Sequence, residues 1–167
     1  MTASAHELNM NQAPSAWLRG LRVYLGLMAG GNLIWEIVQL PLYAIWSTGT
    51  PQEQAFAVMH CAVGDLLIAL STLALALIIA GDHSWPRGRF WPVAILAIIF
   101  GAAYTAFSEW LNVVVRASWT YSGWMPVISL FGLNIGLSPL LQWIVLPAAA
   151  FKVTRRVTVE PSNGGQT

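Results

Sequence analysis

Four long apolar segments, at residues 22–46, 55–80, 90–115 and 125–151, decide what this chain can fold into. Each has the ~20 or more residues that a helix needs to cross ~30 Å of hydrocarbon. A lipid-embedded backbone must satisfy its own hydrogen bonds, and segments of this length do so as helices. The connections are short, so neighbouring helices run antiparallel. Composition supports this reading. Only 9% of residues are charged and 56% are hydrophobic, whereas a soluble domain carries about 25% charged residues. A soluble fold this apolar would expose large adhesive patches. The expectation is an all-α, four-helix transmembrane bundle.

Charge gives the orientation. Arg19, Arg22, Arg87, Arg89, Lys152, Arg155 and Arg156 precede helix 1, join helices 2 and 3, or follow helix 4. Arg116 alone falls on the other side, and the loop at residues 47–54 has no Lys or Arg. The positive-inside rule then puts both termini in the cytoplasm. Residues 1–16 read as a disordered cytoplasmic tail, 17–151 as a single transmembrane domain and 152–167 as a second cytoplasmic tail. No basic n-region or cleavage site marks a signal peptide, so helix 1 is expected to act as its own insertion signal. The net charge of +1 carries no nucleic-acid signature. Cys61 is the one cysteine, which excludes an internal disulfide and a two-cysteine redox relay. No Walker, GxSxG, HExxH or CxxC motif occurs, and no Gly-rich dinucleotide loop.

Polar residues interrupt the apolar segments in register. Asn32, Glu36 and Gln39 share one helix face, which Tyr43 extends. Thr105, Ser108, Glu109 and Asn112 share a face of helix 3, and Asn134, Ser138 and Gln142 one of helix 4. Helix 2 offers His60 and, on a different face, Asp65. At 1.5 Å per residue, Glu36 lies roughly 15 Å below Trp46 and Glu109 roughly 10 Å below Arg116. His60 and Asp65 lie roughly 8 and 15 Å below Ala55, and Asn134 roughly 13 Å below Met125. One pocket in the outer half of the membrane accounts for these similar depths.

Energetics make that pocket necessary. Three carboxylates facing lipid at mid-membrane would cost about 8–10 kcal/mol, at about 2.5–3.5 kcal/mol each. Glu36, Asp65 and Glu109 must therefore face inward. His60 is the one basic group at that depth, with Arg116 reaching down from the rim. Protons or a bound cation must complete the balance. The expected ligand-binding set is Glu36, Gln39, His60, Asp65, Glu109, Asn112 and Asn134. One His with two carboxylates (Glu36, His60, Glu109) suits a divalent metal.

Three functions are consistent with this set. The pocket binds a proton, a metal cation or a small amphiphile. Alternatively, Glu36 or Glu109 and His60 exchange protons with a lipid-like substrate in a membrane enzyme. Or the chain is a structural subunit, with Asn32, Gln39, Asn112, Asn134 and Gln142 bonding helix to helix. Pro41 should kink helix 1 and free the carbonyl of Ile37. Gly26/Gly30 and Gly132/Gly136 form GxxxG pairs suited to close helix packing, internally or in a homo-oligomer. Trp17, Trp85 and Trp91 at one boundary, and Trp46, Trp119, Tyr121 and Trp124 at the other, read as aromatic belts. A shift of 73 positions lays Asn32, Glu36, Gln39 and Trp46 on Thr105, Glu109, Asn112 and Trp119, the pattern of two hairpins in a parallel repeat.

The stretches WEIVQLPLY, EWLN, WTYSGWMP and SPLLQW together resemble a family of small bacterial inner-membrane proteins with four helices. The resemblance runs from about Trp17 to Phe151 and implies location and fold, but no chemistry. A looser likeness, in residue type only (His60, Glu109, Asn112, Asn134), is to the emopamil-binding and sigma-2 receptor type of bundle. It implies a pocket for amphiphilic amines or sterols. The five-residue spacing of His60 and Asp65 departs from that pattern.

Overall fold

The computed structural model describes residues 5–130 and 132–159. It is 78% helical, which makes the chain all-α. Four helical stretches are long and apolar enough to cross a membrane: Ala16–Leu42, Pro51–Ala80, Phe90–Val115 and Leu137–Thr158. In chain order the elements are α1 (Ala5–Gln39), a 3-10 turn at Leu40–Leu42, the short helix α2 (Ile45–Thr48), α3 (Pro51–Ala80) and α4 (Phe90–Glu109). A π-helical turn at Trp110–Val115 extends α4, and a hairpin of β1 (Val127–Leu130) and β2 (Leu133–Gly136) leads into α5 (Leu137–Val159). Helix α1 packs on α3 and α5, and α4 packs on the same two, closing a ring of four.

Local chemistry explains the boundaries. Pro41 has no N–H to continue α1, so the helix tightens into the 3-10 turn. Thr50 starts α3 with a capping box: its hydroxyl accepts from the Glu53 N–H and its own N–H donates to the Glu53 carboxylate, with Pro51 in the first turn.

Several expectations need correction. Helix α5 begins at Leu137, twelve residues later than the apolar pattern suggested, because residues 127–130 pair antiparallel with residues 133–136. The β-branched Val127 and Ile128, the latter opposite Ile135, favour the strands, and Gly132 turns at φ +79°. Gly132 and Gly136 thus lie on the hairpin rather than a helix face. Gly26 and Gly30 point away from the bundle, with nothing within 4 Å of an added Cβ, so this pair serves no packing within the chain; the homo-oligomer alternative is untouched by that. Trp85 is buried under the basic end, edge-on to Trp17, and is a core anchor rather than a belt residue. The polar tail before Ala16 continues as α1 from Ala5, in a segment with several good helix formers. At the other end α5 runs eight residues beyond Phe151, with Arg156 favourably placed in its last turn. The rest of the two expected tails, residues 1–4 and 160–167, lies outside the described residues.

The core occupies one half of the bundle. Tyr24 and Met28 of α1, Leu73 and Ala76 of α3, Val93 and Ala97 of α4, and Trp143 and Phe151 of α5 pack together toward the arginine-rich end. Alanines at 69, 76, 94 and 97 let α3 and α4 come close there. Gly101 fits flat beneath the Trp143 ring, where a Cβ would collide with it. The opposite half is built around polar side chains and empty space.

Candidate functional site

The hub of the polar half is Gln142 on α5, which is 2% exposed. Its amide nitrogen donates to Asp65 Oδ2 of α3 (2.7 Å), Asn32 Oδ1 (3.0 Å) and Glu36 Oε1 (3.2 Å) of α1. An amide has two N–H bonds for these three acceptors, so the oxygens compete. Glu36 gains a second donor from Gln39 Nε2 at 2.7 Å. Gln39 in turn accepts from Ser138 Oγ (2.9 Å), and Ser138 from Trp35 Nε1 (3.3 Å). A single hydrogen-bonded chain therefore crosses α1, α3 and α5. The helical periodicity of Asn32, Glu36 and Gln39 is what keeps all three on the face toward α5.

Glu109 belongs to a second group. It is 5% exposed at the last turn of α4. The Tyr121 hydroxyl donates to its carboxylate and accepts from the Gly136 N–H at 2.9 Å. Burial, and then the adjoining Glu109 carboxylate, raise the Tyr121 phenol above its ordinary value of 10, so the ring stays a neutral donor. Tyr121 is held by pairing with Tyr43 across an isolated bridge, and Ser122 is bonded to the carbonyls of Pro41 and Leu42. The loop before the hairpin is thereby stitched to the kink in α1. Beyond Glu109 the helix widens into the π turn. There Asn112 folds back onto the Ser108 carbonyl (2.9 Å) and hydroxyl (3.2 Å). Such single wide turns occur frequently at functional sites.

Between the two groups lies a cavity of about 1230 Å³. Of the residues expected from sequence, Glu36, Gln39, His60, Asp65, Glu109 and Asn112 all line it. Asn134 does not. It sits exposed on β2, where its side-chain oxygen accepts from Ser129 Oγ at 2.6 Å, because the hairpin has replaced the expected turns of helix. Cys61 also lines the cavity and is half-buried, so it is not simply a core residue. Sequence reasoning placed Gln142 on the correct stripe but gave it no part in the site, and it assigned Tyr121 to a belt. The signal for Gln142 was its spacing from Ser138 and Asn134. No local signal pointed to Tyr121, whose partners lie 12 and 15 positions away.

The proposed metal trio does not assemble. Among the described residues, no three of His, Cys, Asp and Glu converge closely enough to hold an ion. His60 is exposed at the cavity's edge and stacked on Phe56 at 5.6 Å, while Glu36 and Glu109 are engaged in separate hydrogen-bonded groups. The cavity walls are largely apolar, with Leu40, Ile45, Val58, Ile68 and Trp143 contributing. Among the described residues the one ion pair is Arg89–Asp82, an exposed 3.8 Å contact at the basic end. Glu36, Asp65 and Glu109 have none. Thr105, 6% exposed, also lines the cavity with its hydroxyl unpartnered.

Comparisons with protein-family models, curated proteins and solved structures find no match to this chain. The functional reading therefore rests on its own residues.

Proposed function

We propose that this multi-pass membrane protein binds a small amphiphile in the cavity, with a cationic head group received by Glu36, Asp65 and Glu109. The observation that carries the reading is one space of about 1230 Å³ that combines apolar walls with three acidic side chains lacking an ion-pair partner. A proton or bare ion would need little of this volume, whereas drug-sized ligands occupy pockets of roughly 300–1,000 Å³ with a few placed polar groups. Acids in a membrane are costly unless compensated, and a cationic head supplies the compensation. Thr105 adds an unused hydroxyl beside them. The distribution of Arg and Lys supports an orientation with both termini cytoplasmic; in a bacterial inner membrane the cavity would then lie in the outer half.

The test is native mass spectrometry of the protein extracted in mild detergent, wild type beside Asp65→Asn and Glu109→Gln. The expected result is an amphiphile adduct on the wild type that falls at least tenfold in each variant, while the bundle keeps its helical circular dichroism. An adduct unchanged in both variants, or none on the wild type with added long-chain alkylamine, would exclude this function.

A further inference from the structure

The four sides of the cavity are not closed alike. The α1–α5 side is stitched by the Gln142–Asn32, Gln142–Glu36 and Ser138–Gln39 hydrogen bonds. The α1–α3 side is tied through α5 by Gln142 to Asp65, and above it Gln54 of α3 bonds the carbonyls of Trp46 and Gly49. The α4–α5 side is bridged by Tyr121, which touches both Glu109 and the Gly136 N–H. Among the described residues no side-chain hydrogen bond joins α3 to α4. Those two helices meet through alanines in the basic half, and residues of both line the cavity in the other half.

The residues along that gap have two surfaces. Phe56 and Leu67 of α3 and Tyr104 of α4 line the cavity and are 70%, 60% and 50% exposed. Gly64 lies on the same edge, and a Cβ added there would meet no atom within 4 Å. Across a ~30 Å hydrocarbon layer, exposed side chains at the level of Leu67 and Tyr104 would meet acyl chains.

We propose that the gap between α3 and α4 is a lateral mouth through which the ligand exchanges with the bilayer. The ligand is a single-chain amphiphile that keeps its chain in the mouth, between Phe56, Leu67 and Tyr104, while its head lies among the three acids and Thr105. The proposal rests on the amphiphile-binding reading and adds the route and the placement of the chain. It also gives Gly64 a role: the missing side chain leaves the mouth wide enough for a hydrocarbon chain. The mouth runs up to the rim at Glu53 and Arg116, both of which border the cavity, so a head group can pass from the interface to the buried acids along one continuous slot.

The test uses the full chain in phosphatidylcholine vesicles and a long-chain alkylamine carrying a diazirine midway along its chain. Photolabelling of the wild type should fall on α3 between Phe56 and Ser71 and on α4 between Tyr104 and Asn112. Gly64→Trp should reduce that labelling at least tenfold. Gly30→Trp is the matched control: it places the same ring on an exposed α1 site with equally open surroundings, and labelling should be retained. Should Gly64→Trp fail to fold, Leu67→Trp alters the mouth at a position that already carries an exposed side chain. Labelling that depends on Glu109 but is equal in the Gly64→Trp and Gly30→Trp proteins would overturn the lateral mouth and leave the pocket reading standing. Labelling that is unchanged in Glu109→Gln and Asp65→Asn would overturn both.

Discussion

Single residues carry unequal weight in the polar half. Removing Gln142 takes away the two N–H bonds for which Asn32, Glu36 and Asp65 compete. An interhelical hydrogen bond in a membrane averages about 0.6 kcal/mol, but an acceptor left buried and unpaired costs about 1–3 kcal/mol. Gln142→Leu should therefore destabilise the bundle by about 2–4 kcal/mol in a reversible detergent-denaturation experiment, well beyond the average single bond. Tyr121 gives a second test at this scale. Its folded value is raised above 10 by burial and the Glu109 carboxylate. The stability it contributes is thus fully present below pH 10 and declines as pH rises toward the folded value. The tyrosinate absorbance of wild type and Tyr121→Phe, compared at pH 11, should show no difference assignable to this ring while the protein is folded. Unfolding the wild type at the same pH should restore it. The sequence already marked Glu36, Asp65 and Glu109, because a carboxylate in an apolar helix is conspicuous by its cost. Tyr121 stayed hidden because an aromatic at a membrane boundary has an ordinary explanation.

Among the elements, the end of α3 and the start of α4 were legible to the residue, where apolar runs stop at Gly, Pro and charge, but α3 starts four residues before its apolar run, at the Thr50 cap, and the last six residues of the third run form the π turn. The start of α5 was not. In residues 125–136 hydropathy is as high as in a helix, and the distinction lay in three β-branched residues and one glycine at positive φ. Asn134 was lost from the site for that reason alone. Close packing between elements supplies another test. Gly101 on α4 lies against the Trp143 ring of α5 with no room for a methyl group. Gly101→Ala should force these helices apart at a cost of about 1–3 kcal/mol, read as a lowered thermal midpoint in detergent. The same change at Gly30, where the surroundings are open, should leave the midpoint within a degree or two. The contrast separates a glycine needed for packing from one half of a sequence motif.

For the whole molecule the governing feature is its asymmetry along the membrane normal. Toward the arginine-rich end, alanines, Trp143, Tyr24 and Phe151 fill the space between helices. Toward the other end the same four helices surround a cavity, held in place by hydrogen bonds and by the loop that Tyr121 anchors. Composition and segment length were enough to predict four helices, but not where they part. That depends on which residues face each other across α3 and α4, and those pairings are set by the three-dimensional ring of helices rather than by local spacing. Stability should follow the same division, since local opening is cheapest where few apolar side chains are packed. Hydrogen exchange of the protein in vesicles should leave the backbone of residues 69–77 and 93–101 protected for hours, while residues 104–115, around the π turn, exchange at least tenfold faster. Saturation with a long-chain alkylamine should slow the second group and leave the first unchanged, because filling the cavity restores to the polar half the contacts that the arginine-rich half already has. Uniform protection along α4 would mean that the cavity imposes no local weakness. An equal slowing in both halves would mean that the amine stabilises the bundle from its lipid-facing surface rather than from within.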